Sequence, residues 1–128
     1  MGFRLKTSKK TKDIFDEIGA STNLKPFILC KIAIALSLKK DESIEDYVSD
    51  TNGMELQRTT VTGDQDALYK CLMESKLGVH LSDDDYFPTY TKKHIDRGTE
   101  LLHSTYKYSG GNLEKFLKLL INKGDVSI

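Results

Sequence analysis

The side chains best suited to bind a metal ion are few, and they lie far apart in the sequence. No two of them have the spacing of two to four residues of a zinc knuckle, or the paired histidines four residues apart of a zinc-protease helix. They therefore predict no structural metal. These side chains are Cys30, Cys71, His80, His94 and His103.

Asp83, Asp84 and Asp85 form a run of three adjacent carboxylates. Such a run could bind a divalent cation, although adjacent aspartates in a loop are more often a solvated turn. The segment lacks the alternating Asp or Asn ligands and the final Glu of an EF-hand loop. We predict neither a metal nor any other cofactor.

The sequence contains no motif for nucleotide binding or for nucleophilic catalysis. The chain has neither G-x-x-x-x-G-K-[ST] nor G-x-G-x-x-G, the loops that hold nucleotide phosphates, and it has no G-x-S-x-G. Cys30 and Cys71 both lie among apolar residues, which predicts buried, reduced thiols. Burial raises the pKa of a thiol and lowers its reactivity. We therefore predict that the protein is not an enzyme.

The charges are strongly segregated along the chain, although its net charge is zero. Residues 1–40 hold nine Lys or Arg against three Asp or Glu, a net charge of +6, whereas residues 41–88 carry −9 and residues 89–128 carry +3. Because binding to a polyanion depends on the local field, the basic first third is compatible with nucleic acid as a partner. The candidate nucleic-acid-binding residues are Arg4, Lys6, Lys9, Lys10, Lys12 and Lys25.

A short strand and a helix should position most of these cations. Residues 3–6 alternate apolar and basic, which is typical of a strand with Arg4 and Lys6 on one face. Ser8 is a suitable N-cap for a helix over residues 9–20, because its hydroxyl can accept a hydrogen bond from the first turn. Lys9, Lys10 and Lys12 all lie in that first turn, which is the unfavourable end of the helix dipole for cations.

A second helix is predicted over residues 26–38, beginning at Pro26 after a short, sharp connection. Only Pro26, Lys31 and Ser37 in this segment are not apolar. A helix this apolar must be covered nearly all round. At about 20 Å it is too short to span a membrane, so we expect a core helix that could be shared between chains.

The remaining elements follow from turn signals and apolar periodicity. They begin with an acidic loop over 41–53 and an extended segment over 56–62. A third helix follows, capped by Asp64 or Asp66 and ended by Gly78, with Ala67, Leu68, Cys71, Leu72 and Met73 inward. After a loop over 79–90, Thr91 caps a helix that ends near residue 108, and Asn112 caps a last helix that reaches residue 121.

We predict a mainly α fold with one or two short strands, in a single compact domain over residues 1–128. Residues 1–40 form a basic strand-helix-helix module, and residues 41–128 supply the acidic loop and about three further helices. The order of the first module resembles the ribbon-helix-helix module of DNA-binding proteins, in which two chains pair their strands and intertwine their second helices. A strand-helix-helix corner of any small domain explains the pattern equally well.

In a ribbon-helix-helix dimer, the second chain would cover residues 26–38. The two-stranded ribbon would enter the major groove with Arg4 and Lys6 facing the DNA. The start of the second helix, at Lys25, would lie against phosphate.

Three segments resemble the DndE family of DNA sulfur modification proteins, and they spread over nearly the whole chain. Residues 24–38 read LKPFILCKIAIALSL, and residues 53–63 read GMELQRTTVTG, with DAL at 66–68. Residues 94–98 read HIDRG, with two leucines at 101–102. Where the family often has Asn in the middle segment, this chain has Gln57, a conservative difference.

The resemblance implies a bacterial, cytoplasmic system that replaces a non-bridging phosphate oxygen of DNA with sulfur. It implies partner subunits, namely an ATPase and a PAPS-reductase-like protein, and double-stranded DNA as ligand. It also implies a homo-oligomer, dimer or tetramer. The leading hypothesis is a DNA-binding accessory subunit without catalysis. Two alternatives remain open: a protein-interaction adaptor that uses the acidic middle, and a weak metal-dependent nickase built on Asp83, Asp84, Asp85 and His94.

Overall fold

The structure, a computed structural model, describes the backbone of residues 2–125 and the side chains of residues 2–121. It confirms a mainly α fold with one small sheet. The elements are β1 (Arg4–Lys6), α1 (Lys9–Thr22), α2 (Pro26–Leu38), β2 (Glu55–Gln57), α3 (Arg58–Val61), a 3₁₀ turn (Gly63–Gln65), α4 (Asp66–Leu77), α5 (Asp83–Asp85), a π-helix (Tyr86–Thr91), α6 (Lys92–Tyr108) and α7 (Leu113–Asp125).

β1 pairs antiparallel with β2 of the same chain. Leu5 lies opposite Leu56, and both side chains are buried, whereas the flanking residues of each strand are exposed. The Thr7 N–H extends the pairing by donating to the Met54 carbonyl at 2.9 Å. The strand predicted from alternation is confirmed. The ribbon between two chains is not confirmed, because β2 takes the place that a partner's strand would occupy.

The beginnings of α1 and α2 agree with the sequence prediction. The Ser8 hydroxyl accepts a hydrogen bond from the Thr11 N–H at 3.0 Å, which satisfies an orphan donor of the first turn. α1 ends two residues later than predicted, at Thr22, where Asn23 adopts a left-handed conformation with φ of 63°. Pro26 then opens α2 after a bend of 115°, which confirms the sharp turn.

α2 and α6 pack along each other at the centre of the core. α2 buries one face completely, including Leu29, Cys30 and Ile34. Its opposite face is less covered, because Ala35 is exposed and Phe27 is 38% exposed. α6 therefore supplies only part of the cover that so apolar a helix requires.

Residues 58–61 are helical, so the extended segment predicted over 56–62 is wrong beyond Gln57. The threonines and valine there favour strand by intrinsic preference, but tertiary contacts override it. The Arg58 guanidinium binds both carboxylate oxygens of Asp66, at 3.0 and 2.6 Å, and the Thr62 N–H donates to the Arg58 carbonyl at 3.0 Å. These bonds hold the backbone in a turn of helix.

The loop predicted over residues 79–90 is also wrong in its second half. Ser82 caps α5, and the π-helix that follows continues directly into α6, so Thr91 is not an N-cap but a helical residue. Tyr86 and Phe87 are fully buried. The gain from burying two aromatic side chains explains why this segment lies against the core rather than forming a solvated loop.

α4 turns a different face inward from the one predicted. Met73 is buried, with Tyr69 and Leu77 half-buried beside it at four-residue spacing. Leu68 and Leu72 are 53% and 44% exposed. Of the predicted inward residues, only Met73 is buried; the exposed ones are Ala67, Leu68, Cys71 and Leu72.

The two thiols therefore differ. Cys71 is exposed, contrary to the sequence prediction, because α4 faces it outward. Cys30 is buried in α2, and this burial raises the pKa of its thiol to about 12, with a smaller contribution from the charge of Asp96. Cys30 therefore stays protonated and unreactive at neutral pH.

Among the described residues no single helix has the length and apolarity to cross a membrane, and only α1 and α2 taken together, bent by 115°, meet those criteria.

Candidate nucleic-acid interface

Arg4 and Lys6 lie on the exposed face of the two-stranded sheet. Arg4 stands opposite Gln57 and Lys6 opposite Glu55 in the antiparallel register. The Arg4 guanidinium also lies 3.7 Å from a carboxylate oxygen of Glu55. The outer face of the sheet therefore carries two cations and one anion, which is less positive than the sequence of β1 alone indicates.

Lys9, Lys10 and Lys12 project from the first turn of α1, and the ammonium group of each is paired with a carboxylate. Lys9 and Lys12 pair with acidic residues one turn later on α1, at 3.4 and 3.1 Å. Lys10 pairs with Glu100 of α6 at 3.0 Å. Sequence reasoning could find the pairs within α1 from their i, i+4 spacing, but not the contact with α6.

These ion pairs leave the lysines available to another anion. The lysine side chains are 66%, 65% and 45% exposed, in chain order. Ion pairs this open to solvent contribute only about 0–1 kcal/mol, so exchanging a carboxylate for a phosphate costs little. The neighbouring carboxylates nevertheless remain and weaken the local positive field.

Lys25 is separated from the other candidate cations. It precedes α2, whereas Lys9, Lys10 and Lys12 lie at the opposite end of α1, a helix of 14 residues that spans about 20 Å. Within the range of residues that the structure describes, neither Lys25 nor Lys6 forms an ion pair. The candidates of residues 4–12 are thus neighbours along the chain, and Lys25 lies at the far end of α1 from the lysines of its first turn.

Sequence reasoning missed a buried polar cluster directly beneath the first turn of α1. Asp96 of α6 is 1% exposed, and its carboxylate accepts hydrogen bonds from the Ser8 N–H at 3.1 Å and the Thr11 hydroxyl at 2.7 Å. Its other oxygen accepts from the Ser49 hydroxyl at 2.6 Å and the Lys92 ammonium at 2.5 Å. Asp96 therefore fixes the start of α1 to α6 and to the acidic loop.

The acidic loop over residues 41–53 is held beside the lysines by further contacts. The Lys9 N–H donates to Asp50 at 2.9 Å, and hydrogen bonds from the N–H groups of Asn52 and Lys9 lower the pKa of that carboxyl. The Tyr47 hydroxyl donates to Glu100, the same residue that pairs with Lys10. The acidic and basic segments of the sequence thus meet in space.

The family model for the DNA sulphur modification protein DndE matches residues 4–110 of the chain. The chain belongs to the DndE family. DndE from Escherichia coli B7A, whose crystal structure is described as that of a protein involved in DNA phosphorothioation modification, has the same fold. That structure is 18% identical with a TM-score of 0.64, and the match covers 78% of this chain and 95% of the E. coli chain. A comparison with curated proteins gave no match.

Three of the five residues HIDRG that resemble the DndE family in α6 contact the core, α1 and α2 of this chain. Ile95 is fully buried in the core, and Asp96 holds the cluster beneath α1. Arg97 donates to the Ser37 hydroxyl and carbonyl of α2 at 2.8 and 2.6 Å. These contacts join α6 to α2 and to the start of α1.

The middle segment of the DndE resemblance holds a second polar cluster, centred on Arg58. Besides binding Asp66, the guanidinium lies 3.3 Å from Asp83 and 5.0 Å from the centre of the Tyr86 ring. Lys70 also reaches Asp83, at 3.4 Å, and hydrogen bonds from Arg58 and Lys70 lower the pKa of Asp83. Asp83 is thus occupied in ion pairs, which disfavours its use as a metal ligand.

His94, the other residue of the nickase hypothesis, is buried and neutral. The Ser37 hydroxyl accepts a hydrogen bond from Arg97 Nε and forms a second hydrogen bond with His94 Nδ1, at 2.8 Å. Burial, together with the smaller effect of the charges of Arg97 and Lys76, lowers the pKa of His94 to about 3. In the part of the chain that the structure describes, no three His, Cys, Asp or Glu side chains are placed to hold a metal ion. The geometry gives the nickase hypothesis no support.

His94 should make the fold sensitive to mild acid. Its pKa is about 3 in the folded chain and about 6.5 when unfolded, so the unfolded state takes up a proton first as the pH falls. Stability that is complete above pH 6.5 should fall by about 2 kcal/mol between pH 7 and pH 5. Urea unfolding at both pH values measures the change, and His94→Asn should reduce it. The exposed His80→Asn serves as control, and an equal pH effect in both variants would contradict this assignment.

Proposed function

We propose that this chain is a DNA-binding accessory subunit of a bacterial DNA phosphorothioation system and binds double-stranded DNA largely through the phosphate backbone. The observation that carries the proposal is the cluster of five cations within residues 4–12, on β1 and the first turn of α1. Four of them are exposed and Lys12 is half-buried. The system is supported by membership of the DndE family and by the likeness to the E. coli protein. A cytoplasmic location and work beside an ATPase and a PAPS-reductase-like subunit are part of the proposal.

The contacts of the cluster define how it should bind. Lys9, Lys10 and Lys12 extend from a helix that Asp96 fixes in place, so the chain presents them without a folding step. Their carboxylate neighbours make the net field moderate, and lysine attracts phosphate as a point charge without reading base edges. We therefore expect weak, sequence-independent affinity that falls steeply with salt. Lys25 would make a separate contact about 20 Å away.

Charge reversal of Lys9, Lys10 and Lys12 to Glu should lower the affinity for double-stranded DNA at least about tenfold at low salt, since three phosphate contacts become repulsive. Fluorescence anisotropy of a labelled duplex measures the affinity. The matched control reverses Lys107, Lys115 and Lys118, three exposed lysines elsewhere that change the net charge equally. Equal losses in both triple variants, or no binding by the unchanged chain, would contradict the proposal.

Self-association through the less covered face of α2 is a further part of the proposed function. Ala35 is exposed there, and Ile32 and Leu36 beside it are only half-buried. An apolar helix with one open face gains stability when a second copy covers it. Dimers or tetramers formed in this way would add the cation clusters of several chains and so raise the avidity for DNA.

One observation favours an adaptor as the second candidate function. Glu42, Glu45 and Asp46 are exposed on a loop that Ser49 and Asp50 tie to the folded core. An acidic surface held in one shape suits a basic surface on a partner protein. The DNA titration and the retention of the partner subunits together separate the two functions. An adaptor would bind no DNA at low salt and would still stay bound to its partner subunits.

A further inference from the structure

A small cavity lies between the acidic loop, α4 and α6, and none of the residues that line it belongs to the cation cluster of residues 4–12. Its volume is about 170 Å³. An apolar cavity of about 150 Å³ is large enough to hold benzene, so this one has room for an organic molecule of about six to eight non-hydrogen atoms. That size suits a small metabolite and excludes a nucleotide or a peptide.

The inner wall of the cavity is apolar. Ile44 of the acidic loop is 5% exposed, Met73 of α4 is 1% exposed, and the half-buried Leu77 completes this wall. Together these side chains offer a surface on which a short hydrocarbon group can pack. Pockets that bind small molecules combine such a surface with a few polar groups that fix the orientation of the ligand.

His94 supplies one polar group. Its imidazole lines the cavity, although the residue is only 1% exposed. The hydrogen bond with the Ser37 hydroxyl occupies Nδ1, so Nε2 is the ring nitrogen that is left to bind a ligand. Because the pKa of His94 is lowered to about 3, the ring is neutral at pH 7 and can make one hydrogen bond at Nε2 without adding charge to the cavity.

Two exposed residues of opposite charge line the same cavity, Asp41 from the acidic loop and Lys76 from α4. In the part of the chain that the structure describes, neither of them forms an ion pair with the other or with a third residue. A ligand with only a negative group would be attracted by Lys76 and repelled by Asp41, and a ligand with only a positive group would meet the reverse. A ligand that carries both groups can satisfy both residues, which makes it the preferred occupant.

We propose that the cavity binds a small α-amino acid with a short apolar side chain. Its carboxylate binds Lys76 and His94, its ammonium group binds Asp41, and its side chain packs on the apolar inner wall. Valine falls within the size that the cavity allows. The inference goes beyond the proposed function and does not depend on it, since DNA binding uses other residues.

The charge of Lys76 decides which end of the amino acid lies deeper. That charge acts at the buried His94 ring, as does the charge of Arg97, whereas Asp41 has no such effect there. The inner end of the cavity is therefore the more positive one, and the carboxylate lies there. Because the ligand would join Asp41 of the acidic loop to α4, its binding should also protect the amides of residues 41–44 from hydrogen exchange.

L-Valine should bind the full chain at least about tenfold more tightly than isovalerate, which lacks the ammonium group, or isobutylamine, which lacks the carboxylate. Each lost group leaves one charged hydrogen bond unmade, and such a bond contributes about a factor of ten or more. NMR titration measures all three affinities from the methyl resonances of Ile44 and Met73 and from the imidazole of His94. These three residues line the cavity, so their shifts also locate the ligand.

Asp41→Asn and Lys76→Gln should each lower the affinity for L-valine about tenfold. Asp46→Asn, in the same loop, and Lys107→Gln, on α6, are the matched controls and should leave it unchanged. All four substitutions are at exposed positions, so each variant should fold. The inference is overturned if L-valine at tens of millimolar moves none of the three lining resonances, if either one-group probe binds as tightly as valine, or if the Asp41 and Lys76 variants keep the full affinity.

Discussion

Replacing Asp96 with Ala should lower the free energy of unfolding by about 3–5 kcal/mol, because it leaves the ammonium of Lys92 buried without its counter-charge. The Lys92 side chain is only 10% exposed and the Asp96 side chain 1%. The substitution also removes the acceptor of the Ser8 N–H and of the Thr11 hydroxyl. Buried donors left without partners lose their hydration and gain nothing in return.

Denaturant unfolding followed by circular dichroism measures this loss. Asp16→Ala is the matched control, since Asp16 forms an ion pair with Lys12 that is open to solvent, and it should change stability by less than about 1 kcal/mol. Combining Asp96→Leu with Lys92→Met should restore only the part of the loss that comes from the unpaired ammonium, because the Ser8 N–H and the Thr11 hydroxyl still lack their acceptor. A loss as small as that of the control would show that Lys92 finds another partner or reaches water.

Replacing Gly98 with Ala should destabilise the chain by about 3 kcal/mol, the upper part of the range for overpacked cores. A Cβ at this position would lie 1.7 Å from the Ala33 carbonyl oxygen and 2.4 Å from the carbonyl carbon. Both are backbone atoms of α2, so no side chain can rotate aside. α2 and α6 would have to separate, which would open the packing along the centre of the core.

Gly19→Ala is the matched control for this substitution. Gly19 also lies within a helix, but the nearest atom to a Cβ there is the Leu24 carbonyl oxygen at 3.4 Å. Alanine is a better helix former than glycine by about 1 kcal/mol, so this variant should be neutral or more stable. Thermal unfolding of both variants gives the comparison. A similar change in both would mean that the close approach of the two helices is not a constraint.

The parts of the fold that could be predicted from the sequence depend on neighbouring residues. Ser8 as N-cap, Pro26 as the first residue of α2, and Gly78 as the left-handed end of α4 all act within one turn of their position. The strand at β1 follows from its alternation. Its partner β2 lies about fifty residues away, and nothing local distinguishes it from the strand of a second chain.

The parts that could not be predicted depend on contacts between distant residues. Arg58 holds its segment in a helix through Asp66, against the β preference of the following threonines. α4 has apolar residues on two sides, so its sequence alone does not decide whether Leu68 or Tyr69 faces the core. Tyr86 is buried in a segment whose aspartates and proline favour a loop.

The candidate site also has one part that could be predicted from the sequence and one that could not. The cations of residues 4–12 are exposed, as a count of charges indicates, but the carboxylates that offset them come partly from elsewhere. Glu100 of α6 pairs with Lys10, and Asp50 of the acidic loop accepts from the Lys9 N–H. Positive and negative charges are therefore more widely separated along the sequence than on the surface of the folded chain.

The salt dependence of DNA affinity tests the central proposal most directly. In a plot of the logarithm of the association constant against the logarithm of the salt concentration, each phosphate neutralised by a lysine or arginine contributes about −0.9 to the slope. We predict a slope of about −3 or steeper for the unchanged chain, with a magnitude smaller by about 2–3 when Lys9, Lys10 and Lys12 are replaced by Gln. A slope near zero, or one that these replacements leave unchanged, would contradict phosphate binding by the first turn of α1.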